Sequence, residues 1–470
     1  MIELVIIIVY LFGMIAIGLV SRKKANKPDD FFVAGRKGST LFVTGSLLAT
    51  IVGASATAGM AGLGFTRGLT GAWWLLVGTA GLIILGLFFA RRIREYGLYT
   101  LPQLINKMYG GRVSLAASFF IVIAWIGVIA AQIIATGQIV SALGIGSPTL
   151  WIVVCTFVFI TYTLLGGQYS VLRTDFVQII IIFGGIFGGL AFLMFHIGGF
   201  SALTANLPPD NFSFPVNSQF GGMSLLSMLL LVGSTYVVGP DMYSRLFCAK
   251  DGKTARRSVL LAALLLIPLA VGITLIGMGA AVLSPQISPD QAFPTVIREV
   301  YPPIVSGIVL AALLAAVMSS AVTCLLSAST ILNVDIIKRF NTGMTEKQLL
   351  SYSRYGIVVL GLGAMLLALE LKGIISTIMW AYTIFTTGII IPVAAGFYRD
   401  KTKVTAAGAL AAVIGGGLTG VASKILTGVK YLDLIALLVA VVLLFSVSLI
   451  EVRLKKAKLS GLTELSDTKG

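Results

Sequence analysis

Histidine occurs once in this 470-residue sequence, cysteine three times, and charged residues make up only 11% of it. Each shortage excludes something. Cys155, Cys248 and Cys324 show no paired spacing, so neither a disulfide framework nor a zinc site is expected. With His196 alone, and no Cys-His, HExxH or P-loop pattern, there is no basis for a catalytic metal or a nucleophilic site. The sequence does not read as an enzyme. Long polar stretches are missing too. The longest pieces between apolar runs, Ile93–Arg112, Gly198–Gln219, Ser284–Tyr301 and Arg339–Arg354, are each too short to build their own core.

What the chain has instead is apolar length. It is 57% hydrophobic with a mean hydropathy of +1.00. A soluble protein of this size could not hide so much apolar surface, so the lipid bilayer is its expected solvent. About thirteen runs, each near the ~20 residues needed to cross the hydrocarbon core, recur from residues 2–20 to residues 431–451. The expected fold is therefore an all-α integral membrane protein.

The net charge of +16 is accounted for by topology. The first run begins with Glu3 and is followed by the positive cluster SRKKANK, a pattern that argues against a cleavable leader and places the N-terminus outside. On that orientation 29 of the 34 Lys and Arg fall on the inner side, with Arg67, Arg298, Lys372, Lys424 and Lys430 on the outer. The charge reports orientation, with the C-terminus cytoplasmic. It calls for no nucleic acid, and no obligatory protein partner is evident.

Two runs are interrupted. GSLLATIVGASATAGMAGLGFTRG, in the second, carries Gly53, Gly59, Gly62 and Gly64, and the seventh carries Gly233 and then Gly239-Pro240. Backbone groups freed by such breaks survive at membrane depth only where protein or a water-filled cavity satisfies them. If runs 2–6 and 7–11 are two five-helix repeats, each break falls in the first helix of its repeat, the pattern of inverted-repeat secondary transporters.

The ninth run adds a stripe of small and hydroxyl residues. Ala316, Ser319, Ser320, Thr323 and Ser327 share one helical face, opposite Leu, Ile and Val. Two readings are open at this level. The stripe either lets membrane helices approach closely and hydrogen-bond, or lines a wet cavity and holds an ion.

Three stretches, DDFFVAGRK (Asp29–Lys37), LLGGQYSVLRTDFVQ (Leu164–Gln178) and AALLAAVMSSAVTCLLSASTILNVDIIKR (Ala311–Arg339), resemble the sodium:solute symporter family, in register from about residue 29 to about residue 400. The resemblance implies the leucine-transporter fold, with a ten-helix core of two inverted five-helix repeats whose first helices are broken. Residues 1–38 are then an extra N-terminal transmembrane helix and a cytoplasmic loop, 39–197 the first repeat and 198–218 an extracellular loop. Residues 219–397 form the second repeat, 398–452 two C-terminal transmembrane helices, and 453–470 a cytoplasmic tail without fixed structure. The implied place is the plasma (inner) membrane of a prokaryote.

The resemblance also implies a transported coupling ion, Na+, bound by the backbone carbonyls of Ala49, Val52 and Ala316 and the hydroxyls of Ser319 and Ser320. Neutral oxygens suit a hard cation that must also leave. Asp175 and Thr323 match a second sodium site found in some members, although Val322 replaces a serine there; one sodium is expected. Ser55, Ala56, Thr57, Gln132, Tyr236, Trp380 and Tyr382 are the candidates to line a small-molecule solute site. Asp241 and Arg245, four apart, are expected to pair on one helix face as a structural pair or an inner gate.

Departures narrow the solute. Ala56 stands where a sugar-transporting relative has glutamine, and Ile51 where the proline symporter has aspartate, leaving a compact solute such as an amino acid or a monocarboxylate. The alternatives are proton coupling through Asp175 and a solute sensor that binds without transport.

Overall fold

A computed structural model describes residues 2–22, 27–141, 144, 146–371, 373–426 and 432–467. The centre of the basic cluster after the first run, Lys372 and Lys430 lie outside them. The described chain is almost entirely helical, with no strand beyond two isolated bridges, Gly38 with Ala249 and Asn217 with Phe220. Among the described residues eleven helical stretches are long and apolar enough to cross a membrane, with two shorter apolar helices, Thr40–Ile51 and Pro148–Thr161. One stretch, Ser55–Glu95, contains the second half of the second predicted run and all of the third, because the chain turns at Gly68, where φ is 62°. The fifth and sixth runs are two helices within Pro148–Ile197, separated at Gly167, whose φ of 51° and ψ of −150° are not helical.

Both predicted interruptions are present. The helix Thr40–Ile51 stops at Val52, whose φ and ψ are −81° and 73°, and the chain resumes in a wide turn, Ser55–Gly59, before the helix Met60–Arg67. In the seventh run the wide turn comes first, at Leu229–Gly233, followed by the helix Ser234–Val238. Gly239 then leaves helical geometry at ψ 132°, and Pro240, which has no amide hydrogen to miss, opens the helix Pro240–Cys248. Such wide turns are rare and gather at functional sites.

The hydroxyl-striped helix, Pro303–Ile331, forms the centre of the molecule. Within its most apolar window 94% of residues are buried, against 28% for the first and last spans, which face outward. A helix that deep has no lipid contact to satisfy, so its hydroxyls must find protein partners or line cavities. It packs against Gly111–Ser141, Pro148–Ile197 and the first half of the broken helix.

One end of the bundle is laced shut. The Gly38 amide donates to the Cys248 carbonyl at 2.8 Å, and the Lys250 amide to the Gly38 carbonyl at 3.0 Å, joining the ends of the two broken helices. A Cβ on Gly38 would lie 2.8 Å from that carbonyl oxygen, so only glycine permits the approach. Arg36 donates to the Gly97 carbonyl at 2.8 Å, Arg94 to the Ala249 carbonyl, and the Tyr99 hydroxyl to Asp29. The connecting segments are more ordered than their composition indicates, since Leu101–Tyr109, Phe200–Asn206 and Ala292–Glu299 are all helical. The tail expected to lack structure instead continues the last helix, Leu432–Asp467, where Glu451 and Lys455 pair one turn apart at 2.6 Å.

Candidate functional site

The site forms where the break after Ile51 meets the stripe. Ser319 Oγ donates to the Ala49 carbonyl at 2.7 Å and to the Ala316 carbonyl at 2.9 Å. Ser320 Oγ lies 2.7 Å from the Thr50 carbonyl, 3.1 Å from that of Ala316 and 3.4 Å from that of Ala49. Of the five oxygens expected to hold sodium, the hydroxyls of Ser319 and Ser320 therefore each lie within hydrogen-bonding distance of the carbonyls of both Ala49 and Ala316. Val52 sits at the turn itself, and among the described residues no hydrogen bond reaches its carbonyl. The close approach depends on Gly53, where a Cβ would fall 2.6 Å from Ser320 Oγ and 2.7 Å from Gln132 Oε1.

This cluster fits a cation. Its atoms are carbonyl and hydroxyl oxygens, hard ligands that suit an alkali or alkaline-earth ion. Among the described residues no group of three or more His, Cys, Asp or Glu side chains could hold a metal. A transition metal therefore lacks its preferred ligands here.

Beside the cluster lies a cavity of about 30 Å³, walled by Ser55, Trp125, Gln132, Tyr236, Asp241 and Tyr382. Ser320 and Thr50 also border it, so cation cluster and cavity share a wall. Gln132 Oε1 accepts the Ala54 amide at 2.8 Å and so satisfies a donor that the break exposes. The ring of Tyr236 lies against Gly78, where a Cβ would fall 2.7 Å from its Cζ.

Ser55, Gln132, Tyr236 and Tyr382 thus reach the cavity, and three other candidates do not. Trp380 is 42% exposed and lines a separate apolar groove with Leu367, Leu371 and Ile384 on the outside of the bundle. Ala56 and Thr57 are buried in the wall, Thr57 donating to the Gly53 carbonyl at 2.9 Å and steadying the break. Side-chain direction decides this: residues two apart on a helix, such as Trp380 and Tyr382, cannot share one face.

The expected Asp241–Arg245 pair does not form. Arg245 turns the other way, its Nη2 lying 3.2 Å from Asp175 Oδ2 and 3.2 Å from Thr50 Oγ1, and it also donates to Thr323 Oγ1. Ser46 donates its hydroxyl to the same Asp175 oxygen. The two residues named for a second sodium, Asp175 and Thr323, do come together, but the cation between them is this chain's own guanidinium. Coupling across 70 residues prevails over the local four-residue spacing because it matches two buried charges and adds two hydroxyl partners. Further along the stripe, Ser327 and Thr330 border a small cavity with Tyr99, Gln168 and Ser244, next to the laced end.

Sequence reasoning overlooked several of these residues. Ser46 and Thr50 are four apart on the first half of the broken helix, a hydroxyl spacing as legible as the stripe. Trp125 and Cys324 carry no such signal, being apolar residues in apolar helices.

The fold matches solved transporter structures. A sodium-coupled sialic acid symporter in an outward-open state superposes with a TM-score of 0.83 at 19% identity, covering 96% of this chain and 98% of that one. MhsT in complex with L-phenylalanine gives 0.59 at 12% identity, covering 87% and 99%. The protein is thus a multi-pass helical membrane protein with the leucine-transporter fold, built around two broken helices, with a cluster of hydroxyl and carbonyl oxygens beside a cavity.

The sodium:solute symporter family model matches residues 31–416, and the chain belongs to that family. It is 27% identical to the sodium/glucose cotransporter of Vibrio parahaemolyticus, over 88% of this chain and 83% of that protein. It is 28% identical to the high-affinity proline transporter PutP of Bacillus subtilis (strain 168), over 86% and 89%. The family is one of sodium:solute symporters, and both relatives are transporters.

Proposed function

We propose that this protein imports a small organic solute together with one sodium ion per cycle, by alternating access. The observation that carries the reading is the contact of Ser319 and Ser320 with the Ala49 and Thr50 carbonyls at the break. Without an ion the two hydroxyls spend their protons on those carbonyls. With sodium bound, the same oxygens turn their lone pairs to the ion, joined by the Val52 and Ala316 carbonyls. Sodium thereby orders the break, and the break forms one wall of the solute cavity.

The asymmetry of the two ends supports alternating access. The end laced through Gly38, Cys248 and Lys250 is sealed, whereas a polar cavity of about 390 Å³ lies by Gln138, Ser288, Asp290 and Arg298, which the sequence assigns to the outer side. We read this as an outward-facing arrangement in the plasma (inner) membrane of a prokaryote, with the N-terminus outside and the C-terminus cytoplasmic. Sodium leaves inward along the stripe, past Thr323 and Ser327, when the laced end opens.

The count of one sodium rests on Arg245, whose guanidinium fills the space between Asp175 and Thr323. The same ion pair weighs against proton coupling, since Asp175 would have to release a buried cation in every cycle. Solute accumulation and counterflow in liposomes separate a transporter from a sensor. The solute proposed is compact, an amino acid or a monocarboxylate. Ala56 and Ile51 depart from the residues associated with sugar and proline.

The test is Ser319→Ala combined with Ser320→Ala, with thermal unfolding followed in sodium chloride and in potassium chloride. Sodium at one hundred times its dissociation constant stabilises the native protein by about 2.7 kcal/mol. The wild type should unfold at a higher temperature in sodium, and the double variant at the same temperature in both salts. A full sodium shift in the double variant would return the stripe to a packing role.

A further inference from the structure

We infer that the transported solute carries a protonated or quaternary amine, and that the Asp241 carboxylate is its counter-charge. The inference rests on the proposed transport reading and narrows its solute. Asp241 is the single charged residue among those that wall the central cavity. The cationic side chain nearest in sequence, Arg245, is committed to Asp175, and among the described residues no salt bridge engages Asp241. A carboxylate at membrane depth is expensive to keep and marks a functional site unless a fixed partner explains it.

Its place at the start of the helix Pro240–Cys248 offers a rival explanation. Asp241 stands in the first turn of that helix, where unpaired backbone amides favour negative charge. That explains how the site tolerates an anion. It does not explain why one is used, because serine, threonine or asparagine serve a helix start without bringing net charge into a cavity. The rest of the wall points the same way. Trp125, Tyr236 and Tyr382 present ring systems to the space that Asp241 borders, and aromatic rings attract ammonium groups. Gln132 and Ser55 supply neutral polar groups for the remainder of the solute. A single negative charge with aromatic walls, and no cation, selects an amine and rejects a plain monocarboxylate. Within the solutes proposed above, this leaves the amino acids and small amines.

The cavity volume of about 30 Å³ admits roughly two water molecules, at 10–15 Å³ of such volume each. An amino acid is larger than that, so binding requires the walls to part.

The experiment uses the full-length purified protein and matched probe pairs, each with and without an amine. L-Alanine is set against L-lactate, ethanolamine against ethylene glycol, and trimethylglycine against 3,3-dimethylbutyrate, each at 50 mM in sodium chloride and in potassium chloride. At least one amine should raise the unfolding temperature while its amine-free partner does not. Titration of that amine should show affinity weakened roughly tenfold or more in Asp241→Asn, the scale of one charge-assisted hydrogen bond. Asp241→Glu, which keeps the charge, should lose less. An amine-free probe that stabilises as well as its partner overturns the inference, as does an undiminished affinity in Asp241→Asn or the failure of every amine. Should Asp241→Asn not fold, the wild-type pairs still decide. An amine that stabilises equally in potassium chloride supports the Asp241 assignment while refuting sodium coupling, whereas a carboxylate that stabilises only in sodium does the reverse.

Discussion

Arg245 Nη2 lies 3.2 Å from Asp175 Oδ2, and neither side chain has more than 1% of its surface accessible. The contact ties the helix following Gly239-Pro240 to the long helix Pro148–Ile197, and through Thr50 and Thr323 to the first broken helix and the stripe. Four elements thus meet at one guanidinium.

Breaking that pair should be costly in one way and mild in another. Arg245→Met or Asp175→Leu alone leaves a buried unpaired charge and should destabilise by about 3–5 kcal/mol, whereas both together should lose much less. Thermal unfolding of the two single variants and the double variant closes the cycle. Losses that simply add would show that the two residues act independently.

Gly53→Ala places a methyl group against Ser320 Oγ and Gln132 Oε1, both at the cation cluster. The break must then move away from the stripe, and the sodium-dependent rise in unfolding temperature should fall sharply. Gly13→Ala, with nothing within 4 Å of the added Cβ, is the control and should keep the full rise. Equal sodium shifts in both variants would mean that the break tolerates displacement.

The laced end carries a pH dependence outside the membrane. Burial first, and then the hydrogen bond to Asp29, push the Tyr99 phenol from 10.0 up to about 12. A group held protonated by folding contributes stability that is complete below its unfolded value. That contribution is lost as the pH climbs from 10 through about 12. Over this window the wild type should lose more thermal stability than Tyr99→Phe, which has no proton to release there. Parallel losses would remove Tyr99 from the latch.

Features with a local cause were legible in the sequence. Gly239-Pro240 has to interrupt a helix because proline brings no amide hydrogen, and the Ser319–Ser320 stripe has to face inward because hydroxyls in lipid need partners. Features that depend on which remote side chain arrives first were not. Trp380 and Tyr382 lie in the same apolar helix with similar composition around them, yet one faces the outer groove and the other the cavity. Asp241 and Arg245 have the spacing of a helix pair, yet Asp175, Thr50 and Thr323 claim the arginine.

The sequence by itself determined that this chain is a helical membrane protein with two broken helices and a hydroxyl-lined centre. In lipid every backbone group must be satisfied within its own segment, so length, hydropathy and the positions of glycine and proline decide that much. Only the tertiary structure decided the division of labour among the buried charges, giving Arg245 to Asp175 and leaving Asp241 facing the cavity. Charge pairing falls off over a few ångströms, and those distances are set by how the helices pack.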